Sequence, residues 1–276
     1  MTSIPEEGAR ARLEGLRVGV VGVGLMGADH ARRLATRIAG ASLTALADPD
    51  EGRVGALAEE LDGIAVHADP LDLIASDDVD AVVLASPGSV HEEQLLACIE
   101  RGVHVLCEKP LTMDSESSLR VVEAERAGGR DLVQVGFMRR FDPEYVRLKA
   151  LLDSGRMGRT LLLGEEIVSI QGISPTPTSH AREGVVDPQI AILRTASGAV
   201  VTNEVFVNAR TGYEVRVEAV AERGSAIIGR PASGVYTTTA DPGGGDGSWG
   251  GPIDPDYRVR FERAYDLEVQ AWVDAS

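Results

Sequence analysis

Apolar runs alternate with segments of helical periodicity along the first half of the chain. Five short, nearly continuous apolar runs occur between residues 17 and 136: Val18–Val21, Leu43–Ala47, Ala81–Ala85, Val103–Cys107 and Leu132–Val135. Strands that are apolar throughout are typical of a sheet covered by helices on both faces. The pattern therefore predicts a doubly wound parallel α/β sheet in a first domain, residues 1–137.

The segments between the apolar runs are predicted to be helices. One covers His91–Glu100 and ends at Gly102. Another begins after Asp114, a good N-cap residue, and is predicted to turn Leu119 and Val122 inward. Repeated strand–helix units of this kind connect neighbouring strands of a parallel sheet.

The pattern changes after Phe137. A short helix, Pro143–Leu152, precedes β-rich runs that are joined by short turns. These runs are Ile190–Arg194, Ala199–Val207, Tyr213–Ala219 and Ser225–Ile228. They predict a second domain, residues 138–276, of α+β type with a mostly antiparallel sheet, in which the glycine-rich stretch 241–252 is a solvated loop.

Composition and charge narrow the possible partners. The chain has 276 residues, 43% of them hydrophobic, and a net charge of −16 at pH 7. Nucleic acid and anionic membranes are excluded as partners because both require clustered Lys and Arg. Cys98 and Cys107 lie in apolar segments without metal-ligand spacing, so we expect reduced thiols, no metal and a cytoplasmic protein. Neither a signal peptide nor a membrane-spanning run is evident.

A glycine motif follows the first predicted strand and opens the first predicted helix. Gly22, Gly24 and Gly27 enclose Leu25 and Met26 in the spacing G-x-G-x-x-G. The first glycine permits the tight turn, the second a close approach of a pyrophosphate, and the third the packing of helix on strand. The helix N-terminus offers unpaired N–H groups to the phosphates. All five residues are therefore predicted to bind a dinucleotide, although a glycine turn without a ligand remains an alternative.

The end of the second strand selects the cofactor. Asp48 lies 26 residues after Gly22, where a carboxylate accepts hydrogen bonds from ribose hydroxyls and repels a 2′-phosphate. NAD is therefore predicted rather than NADP. Ser86 and His91, after the next buried strand, face the same edge of the sheet, so His91 either contacts the cofactor or caps its helix. His30, inside the first helix, is predicted to be a packed, hydrogen-bonded histidine.

Glu108-Lys109-Pro110 places charge at the end of a buried strand. Ligand chemistry in open α/β sheets occurs at the carboxyl ends of strands. A half-buried lysine at this position is expected next to a bound cofactor.

Together with the glycine motif, the stretches Cys107–Pro110 and Val135–Phe141 resemble the Gfo/Idh/MocA oxidoreductases, and within them the inositol 2-dehydrogenases, from about Val18 to Ile228. The resemblance implies NAD-dependent oxidation of a cyclic polyol, myo-inositol to 2-keto-inositol, by hydride transfer to nicotinamide. It also implies a homo-oligomer, a dimer or a tetramer.

The resemblance assigns roles at the cofactor edge. Lys109 would hydrogen-bond the reacting hydroxyl, help to polarise it and contact the cofactor. Its pKa would be lowered by burial near the cationic cofactor. Pro110 would form a cis peptide, and Glu108 would orient Lys109 or contact the nicotinamide ribose.

Three further residues would bind the substrate by this resemblance. Met138 and Arg139 would line the pocket, and Tyr213 would reach in from the second domain. The alternatives are a salt bridge from Arg139 to Asp142 or Glu144, and an ordinary strand position for Tyr213.

The chain departs from the family pattern in its second domain. The family carries an Asp-x-x-x-His pair on a helix, with the histidine as general base. Here residues 159–163 resemble the strand before that helix and residues 164–168 the strand after it, so the helix between them is predicted to be deleted. The deletion would expose apolar surface, and the closing C-terminal segment is also predicted to be shortened. A catalytically impaired NAD-binding paralogue, or a dehydrogenase of another cyclitol or sugar, is therefore an alternative.

Overall fold

The apolar runs of the first half form one six-stranded sheet whose neighbouring strands are all parallel. A computed structural model describes residues 15–158, 166–177, 186–208, 212–229 and 254–276. The sheet strands are β1 Leu16–Val21, β2 Ala41–Ala47, β3 Ala65–His67, β4 Ala81–Leu84, β5 His104–Cys107 and β6 Val133–Val135. Their spatial order is β3-β2-β1-β4-β5-β6. The predicted doubly wound parallel sheet is confirmed.

Helices connect these strands and cover both faces of the sheet. They are α1 Leu25–Thr36, α2 Glu51–Glu60, α3 Pro70–Ala75, α4 His91–Arg101 and α5 Ser115–Gly128. Short 3₁₀ turns cover Gly88–Val90 and Met138–Arg140. All four residues of β4 are buried and apolar, because helices cover this strand on both faces of the sheet.

One strand and one helix face differ from the sequence-based prediction. β3 is a three-residue edge strand that leaves Val66 46% exposed, so it lacks the apolar run by which the other strands were found. In α5, Leu119 is exposed, and Ser117 and Val121 are buried instead. The inward face of α5 was therefore predicted wrongly for Leu119, because a polar residue, Ser117, occupies the buried position and bonds Thr112.

The C-terminal helix belongs to the first of two compact units. The first unit comprises the described residues up to Phe141 together with Arg263–Ser276, and the second is Asp142–Glu262. The helix in question is α8, Glu262–Ala275, after the short α7, Tyr257–Arg260. Val269, Trp272 and Val273 of α8 pack into one core of the parallel sheet. The predicted division after Phe137, with the whole C-terminal part in the second domain, therefore differs from the observed one.

The second unit contains two antiparallel sheets. One has the order β7-β8-β9 and the other is the hairpin β10-β11. The elements are α6 Pro143–Asp153, β7 Ile167–Ile173, β8 Gln189–Thr195, β9 Val200–Val205, β10 Val217–Ala221 and β11 Gly224–Ile228. Leu148 and Leu152 of α6 pack against Ala219 and Ile228 of the hairpin. The predicted α+β architecture is confirmed, with Tyr213 before the strand rather than in it.

The sheet β7-β8-β9 leaves much apolar surface exposed. All seven residues of β7 are exposed, including Ile170 at 67%. Exposed apolar surface was expected beside the predicted deletion, whose own position, residues 159–165, lies outside the described residues, as does the stretch 241–252. In the described part of the chain, no helix is long and apolar enough to cross a membrane.

Candidate active site

The turn between β1 and α1 has the geometry that the glycine motif predicts. Gly22 has a φ of +82°, and a Cβ there would lie 2.5 Å from Cα of Ser86. A Cβ on Gly27 would overlap the carbonyl oxygen of Gly22. Larger side chains at these two positions would therefore separate α1 from the sheet.

The second glycine leaves open space in front of a helix N-terminus. A Cβ on Gly24 would meet only a guanidinium nitrogen of Arg53, at 3.9 Å. Gly24 caps α1 without a side-chain hydrogen bond, so the first N–H groups of the helix point to that space. Leu25, which is exposed, and Met26 form this first turn. These residues fit the pyrophosphate of a dinucleotide.

Asp48 joins the glycine turn to the end of β2. Its side chain is buried and accepts hydrogen bonds from the backbone N–H of Val23, at 2.8 Å, and of Asp50, at 2.9 Å. Each carboxylate oxygen retains acceptor capacity for a ribose hydroxyl. Arg53 lies 3.6 Å from Asp48 and 2.8 Å from Asp50. The sequence indicated the ribose contact, but it did not indicate that Asp48 also holds the phosphate-binding turn.

The Lys109-Pro110 peptide at the end of β5 is cis, as predicted. Lys109 itself is exposed, whereas the sequence predicted a half-buried lysine. The buried member of the tripeptide is Glu108, which accepts a hydrogen bond from the backbone N–H of Lys109 at 3.3 Å. At the end of β5 the buried side chain is therefore that of Glu108, and not that of Lys109.

A histidine of α1 holds the Glu108 side chain in place. Nε2 of His30, a fully buried residue, lies 2.9 Å from Oε1 of Glu108. Burial tends to raise the pKa of Glu108, but the hydrogen bond and charge of His30, together with the charge of Lys109, outweigh it and leave the pKa below its usual value. The prediction of a packed, hydrogen-bonded His30 is confirmed. Glu108 orients the lysine backbone, and its two oxygens are engaged inside the protein.

His91 braces two loops at the same edge of the sheet. Its ring is buried, with Nδ1 2.8 Å from the carbonyl oxygen of Pro110 and Nε2 2.8 Å from that of Ser86. The cap position of α4 belongs to Val90 and has no side-chain hydrogen bond, so the capping role is wrong. Both ring nitrogens thus lie next to carbonyl oxygens of these loops, and a contact of His91 with the cofactor stays a prediction. Ser86 also bonds Gln94, at 2.5 Å.

The predicted substrate residues fall in different surroundings. Met138 is buried and Arg139 is exposed, both in the 3₁₀ turn after β6. Tyr213 lies in the second unit, where its ring packs edge-on against Tyr257 and Phe261, at 5.9 and 6.1 Å between centroids. An open pocket of about 520 Å³ in the first unit includes none of these three residues. Their role in substrate binding stays a prediction.

The two carboxylates that are alternative partners for Arg139 bind another arginine. Arg260 lies 3.1 Å from Asp142 and 2.6 Å from Glu144, within the second unit. Asp142 also caps α6 by accepting from the backbone N–H groups of Glu144 and Tyr145. These two acids therefore have structural roles at the start of α6.

The sequence contains no Asp-x-x-x-His pair. The residues four positions before its five histidines are Met26, Gly63, Pro87, Glu100 and Thr176. His180 lies outside the described residues. Asp187 accepts from the backbone N–H groups of Val207 and Asn208, both at 2.8 Å, so its carboxylate has a structural role.

The cysteines have the expected buried, unreactive character. Cys98 and Cys107 are free, and burial, the largest cause, raises the pKa of each thiol to about 12. Among the described residues, no group of three or more His, Cys, Asp or Glu side chains could hold a metal ion.

One group near the site escaped sequence-based reasoning. Glu268 in α8 is fully buried, and its pKa is raised to about 8 by burial and by the charge of Glu108, with Lys109 opposing the rise. Because α8 is about 160 residues away in sequence from Lys109, only a tertiary contact could have indicated it.

Comparisons with known proteins match both parts of the chain. Residues 16–137 match the family model described as "Oxidoreductase family, NAD-binding Rossmann fold", and residues 159–227 match the "GFO/IDH/MocA C-terminal domain". The sequence is 50% identical to inositol 2-dehydrogenase 4 of Saccharopolyspora erythraea over 95% of this chain and 85% of that protein. It is also 50% identical to inositol 2-dehydrogenase 1 of Mycolicibacterium vanbaalenii, over 94% and 83%.

A solved structure shares the fold. The myo-inositol dehydrogenase of Lactobacillus casei, crystallised with NAD(H) and myo-inositol, superposes with a TM-score of 0.82 at 29% identity, covering 94% of this chain and 86% of the other. Together with the glycine turn, Asp48 and the cis Lys109-Pro110 peptide, these matches establish a cofactor and a class. The chain belongs to the Gfo/Idh/MocA family of oxidoreductases and carries its NAD-binding Rossmann domain.

Proposed function

We propose that this chain catalyses the NAD-dependent oxidation of a cyclic polyol, myo-inositol to 2-keto-inositol. The observation that carries the proposal is the end of β5, where Glu108 is locked to His30 and presents Lys109 at the edge that also holds the glycine turn. The names and ligands of the relatives support inositol as the substrate.

The chain's own residues divide the work. The open space at Gly24 and the N-terminus of α1 hold the pyrophosphate, and Asp48 binds the ribose hydroxyls while fixing the turn. When bound, NAD⁺ accepts a hydride from the alcohol carbon. Lys109 donates a hydrogen bond to the alcohol oxygen and stabilises the negative charge that develops there, while the hydroxyl proton passes to solvent. We assign Met138, Arg139 and Tyr213 to substrate binding, and we expect a cytoplasmic homo-oligomer.

A second function is favoured by a specific observation. Besides the missing Asp-x-x-x-His pair, the alignment with the Saccharopolyspora relative extends over 295 positions although the chain has 276 residues, so the relative has residues opposite gaps in this chain. A general base typically contributes ~10²–10⁴-fold to the rate. An NAD-binding protein with little turnover is therefore the alternative.

One experiment separates the two functions. NADH formation is followed with myo-inositol, other cyclitols and aldoses, for the wild type, for Lys109→Met, and for a variant that carries the relative's additional segment. Inositol-dependent NADH formation that is lost in Lys109→Met supports the dehydrogenase. NAD⁺ binding by calorimetry without turnover in the wild type, but with turnover in the extended variant, supports the alternative.

A further inference from the structure

The polar contact of the buried His30 ring, among the described residues, is with Glu108. Nε2 of the ring lies 2.9 Å from Oε1 of Glu108, and Nδ1 has no hydrogen-bond partner in that part of the chain. His30 is 0% exposed and is one of the residues that α1 buries, together with Ala31 and Leu34. An apolar side chain would fill this place without leaving a polar atom unpartnered, so packing alone does not account for a histidine here.

The hydrogen bond between His30 and Glu108 has one direction. Burial tends to raise the pKa of Glu108, but the hydrogen bond and charge of His30 and the charge of Lys109 outweigh it and leave the pKa lowered. The carboxyl is therefore ionised near pH 7, and an ionised carboxylate only accepts hydrogen bonds. Nε2 thus carries the proton and donates the hydrogen bond to Oε1. Such a charge-assisted bond is stronger than a neutral one and holds both side chains in a single arrangement.

The carboxyl of Glu108 lies next to two backbone segments at the carboxyl edge of the sheet. Its Oε2 accepts from the backbone N–H of Lys109 at 3.3 Å. Close to it lies Gly136, which follows β6 and donates its backbone N–H to the carbonyl oxygen of Cys107 at 2.7 Å. A Cβ on Gly136 would be 3.4 Å from the carboxyl carbon of Glu108. Because Gly136 leads into the turn Met138–Arg140, a displaced Glu108 would disturb both Lys109 and this turn.

Two helices hold the His30 ring in place. The residue lies in the second turn of α1, whose first turn offers its N–H groups to the space in front of Gly24. From α8, the ring of Tyr265 packs edge-on against the imidazole, at 5.8 Å between centroids. The guanidinium of Arg33 lies 5.4 Å from the Tyr265 ring centroid and is paired with Asp266 of α8. The imidazole therefore joins the helix that begins at the cofactor site to the end of β5.

We propose that His30 is a positioning residue, which couples the cofactor-binding helix α1 to Lys109 and to the turn after β6 through Glu108. The inference deepens the proposed function and rests on it for its effect on turnover. Without the Nε2–H donor a buried carboxylate is left unpaired, so Glu108 would turn toward solvent and shift the Lys109 backbone. The ammonium would then be misplaced for the alcohol oxygen, which slows hydride transfer, while Gly24 and Asp48 would still bind NAD⁺.

Three variants separate this role from packing. His30→Gln removes the ring but keeps an amide N–H that can donate to Glu108, whereas His30→Met has nearly the same length and shape and no donor. Leu34→Ala leaves a cavity in the core on the same helix without removing a polar contact, so it reports the effect of loosened α1 packing alone. Each variant is made in the whole 276-residue chain.

The first test measures NADH formation in a single turnover with bound NAD⁺ and saturating polyol. His30→Met should lower this rate about 10–100-fold, and His30→Gln should restore it to within about threefold of wild type. NAD⁺ affinity, from calorimetry, should change less than about threefold in both, because the pyrophosphate site is untouched. Leu34→Ala should lower Tm but keep the rate within about twofold of wild type. Equal rates in His30→Met and His30→Gln, or a similar fall in Leu34→Ala, would overturn the proposal.

The second test needs neither cofactor nor turnover. Tm is measured at pH 7 for Glu108→Gln, alone and in the His30→Met background. With His30 present the substitution weakens a charge-assisted bond, so Tm should fall by about 5 °C. In the His30→Met background it removes an unpaired carboxylate, so Tm should stay the same or rise. An equal fall in both backgrounds overturns the inference. If the wild type oxidises no polyol, the proposed function fails, while this cycle still decides whether His30 and Glu108 are coupled.

Discussion

Two buried carboxyls near Lys109 differ in the sign of their pH behaviour. Glu108 is hydrogen-bonded to His30 and has a lowered pKa, whereas Glu268 is unpartnered among the described residues and has a raised pKa. A carboxyl with a lowered pKa stabilises the fold at pH values above its unfolded pKa and loses this effect as pH falls. Because their pKa values are shifted in opposite directions, Glu108 is charged and Glu268 is mostly neutral near pH 7.

The charged acid gives a prediction on stability. Glu108→Gln should lower the free energy of unfolding by about 1–3 kcal/mol at pH 7, because a buried charge-assisted hydrogen bond is weakened. The difference from wild type should shrink as pH falls below about 4.5, because the unfolded wild-type chain then takes up a proton at Glu108 while the folded state, with its lowered pKa, still holds the carboxylate. Denaturant unfolding at pH 7 and pH 4 measures both. Glu116→Gln, at an exposed position, serves as the control. A constant difference at both pH values would contradict the ionised state of Glu108.

The contacts of His91 with the loops at Ser86 and Pro110 give a second prediction. His91→Ala removes a buried ring that contacts two carbonyls, so it should destabilise the chain by about 2–4 kcal/mol and weaken NAD⁺ binding by displacing the Ser86 and Pro110 loops. Denaturation and NAD⁺ titration test the two effects. His67→Ala, at a partly exposed edge-strand position, should change both only slightly. Unchanged NAD⁺ affinity in a folded His91→Ala variant would show that the contacts of His91 with the two loops do not affect the cofactor site.

Cofactor choice gives a third prediction. Asp48→Asn keeps one acceptor oxygen for the glycine turn but removes the charge that repels a 2′-phosphate. The affinity for NADH should fall about 10–100-fold, and the preference for NADH over NADPH should narrow, with Arg53 available to the phosphate. Fluorescence titrations with both nucleotides provide the measurement, and Asp50→Asn, which keeps a good N-cap, is the control. An unchanged preference would sink this account of selectivity.

At the scale of elements, the sequence predicted what local pattern determines. The continuous apolar strands and the G-x-G-x-x-G turn are determined by residues close together in the sequence, so both could be predicted. The short strand β3 was missed because its tertiary contact with β2 decides it. The burial of Ser117 in α5 was missed because a polar residue gives no apolar signal, and its side chain is instead held by local hydrogen bonds to Thr112 and Asp114. The exposure of Lys109 and the burial of Glu108 depend on His30, 78 residues earlier in the chain.

The placement of α8 was the largest departure, and it carries a prediction of its own. Trp272→Ala should destabilise the parallel-sheet unit by about 3–5 kcal/mol, since a nearly fully buried ring leaves a cavity in its core. Hydrogen exchange should accelerate at the amides of β1 and β2. Ala271→Gln, on the exposed side of α8, should stay within about 0.5 kcal/mol of wild type. Unaltered hydrogen exchange in β1 would contradict a contribution of α8 to the stability of the parallel-sheet unit.

At the scale of the whole molecule, apolar surface and strong negative charge coexist. Soluble monomers rarely expose large apolar patches, so we propose that the face of β7-β8-β9 that carries Ile170, Leu193 and Val201 contacts a second copy of the chain. Assembly of a protein with a net charge of −16 must overcome repulsion between copies, which salt screens. Association is therefore expected to strengthen with ionic strength.

This face gives the last prediction. Ile170→Glu should shift the protein to a smaller species in size-exclusion chromatography with light scattering, because it adds a charge to an apolar contact. Gln171→Glu adds the same charge one residue along β7, on the opposite face, and should leave the assembly unchanged. Equal elution of wild type and Ile170→Glu would show that this face is not an interface.

The return of α8 to the first unit has a consequence for synthesis in the cell. All strands of the parallel sheet have been translated once the ribosome reaches Phe141, yet Val269 and Trp272, which complete one of its cores, are translated about 130 residues later. At typical elongation rates this delay is on the order of ten seconds. During that interval the apolar side chains that Val269 and Trp272 contact in the folded protein are not yet covered by α8.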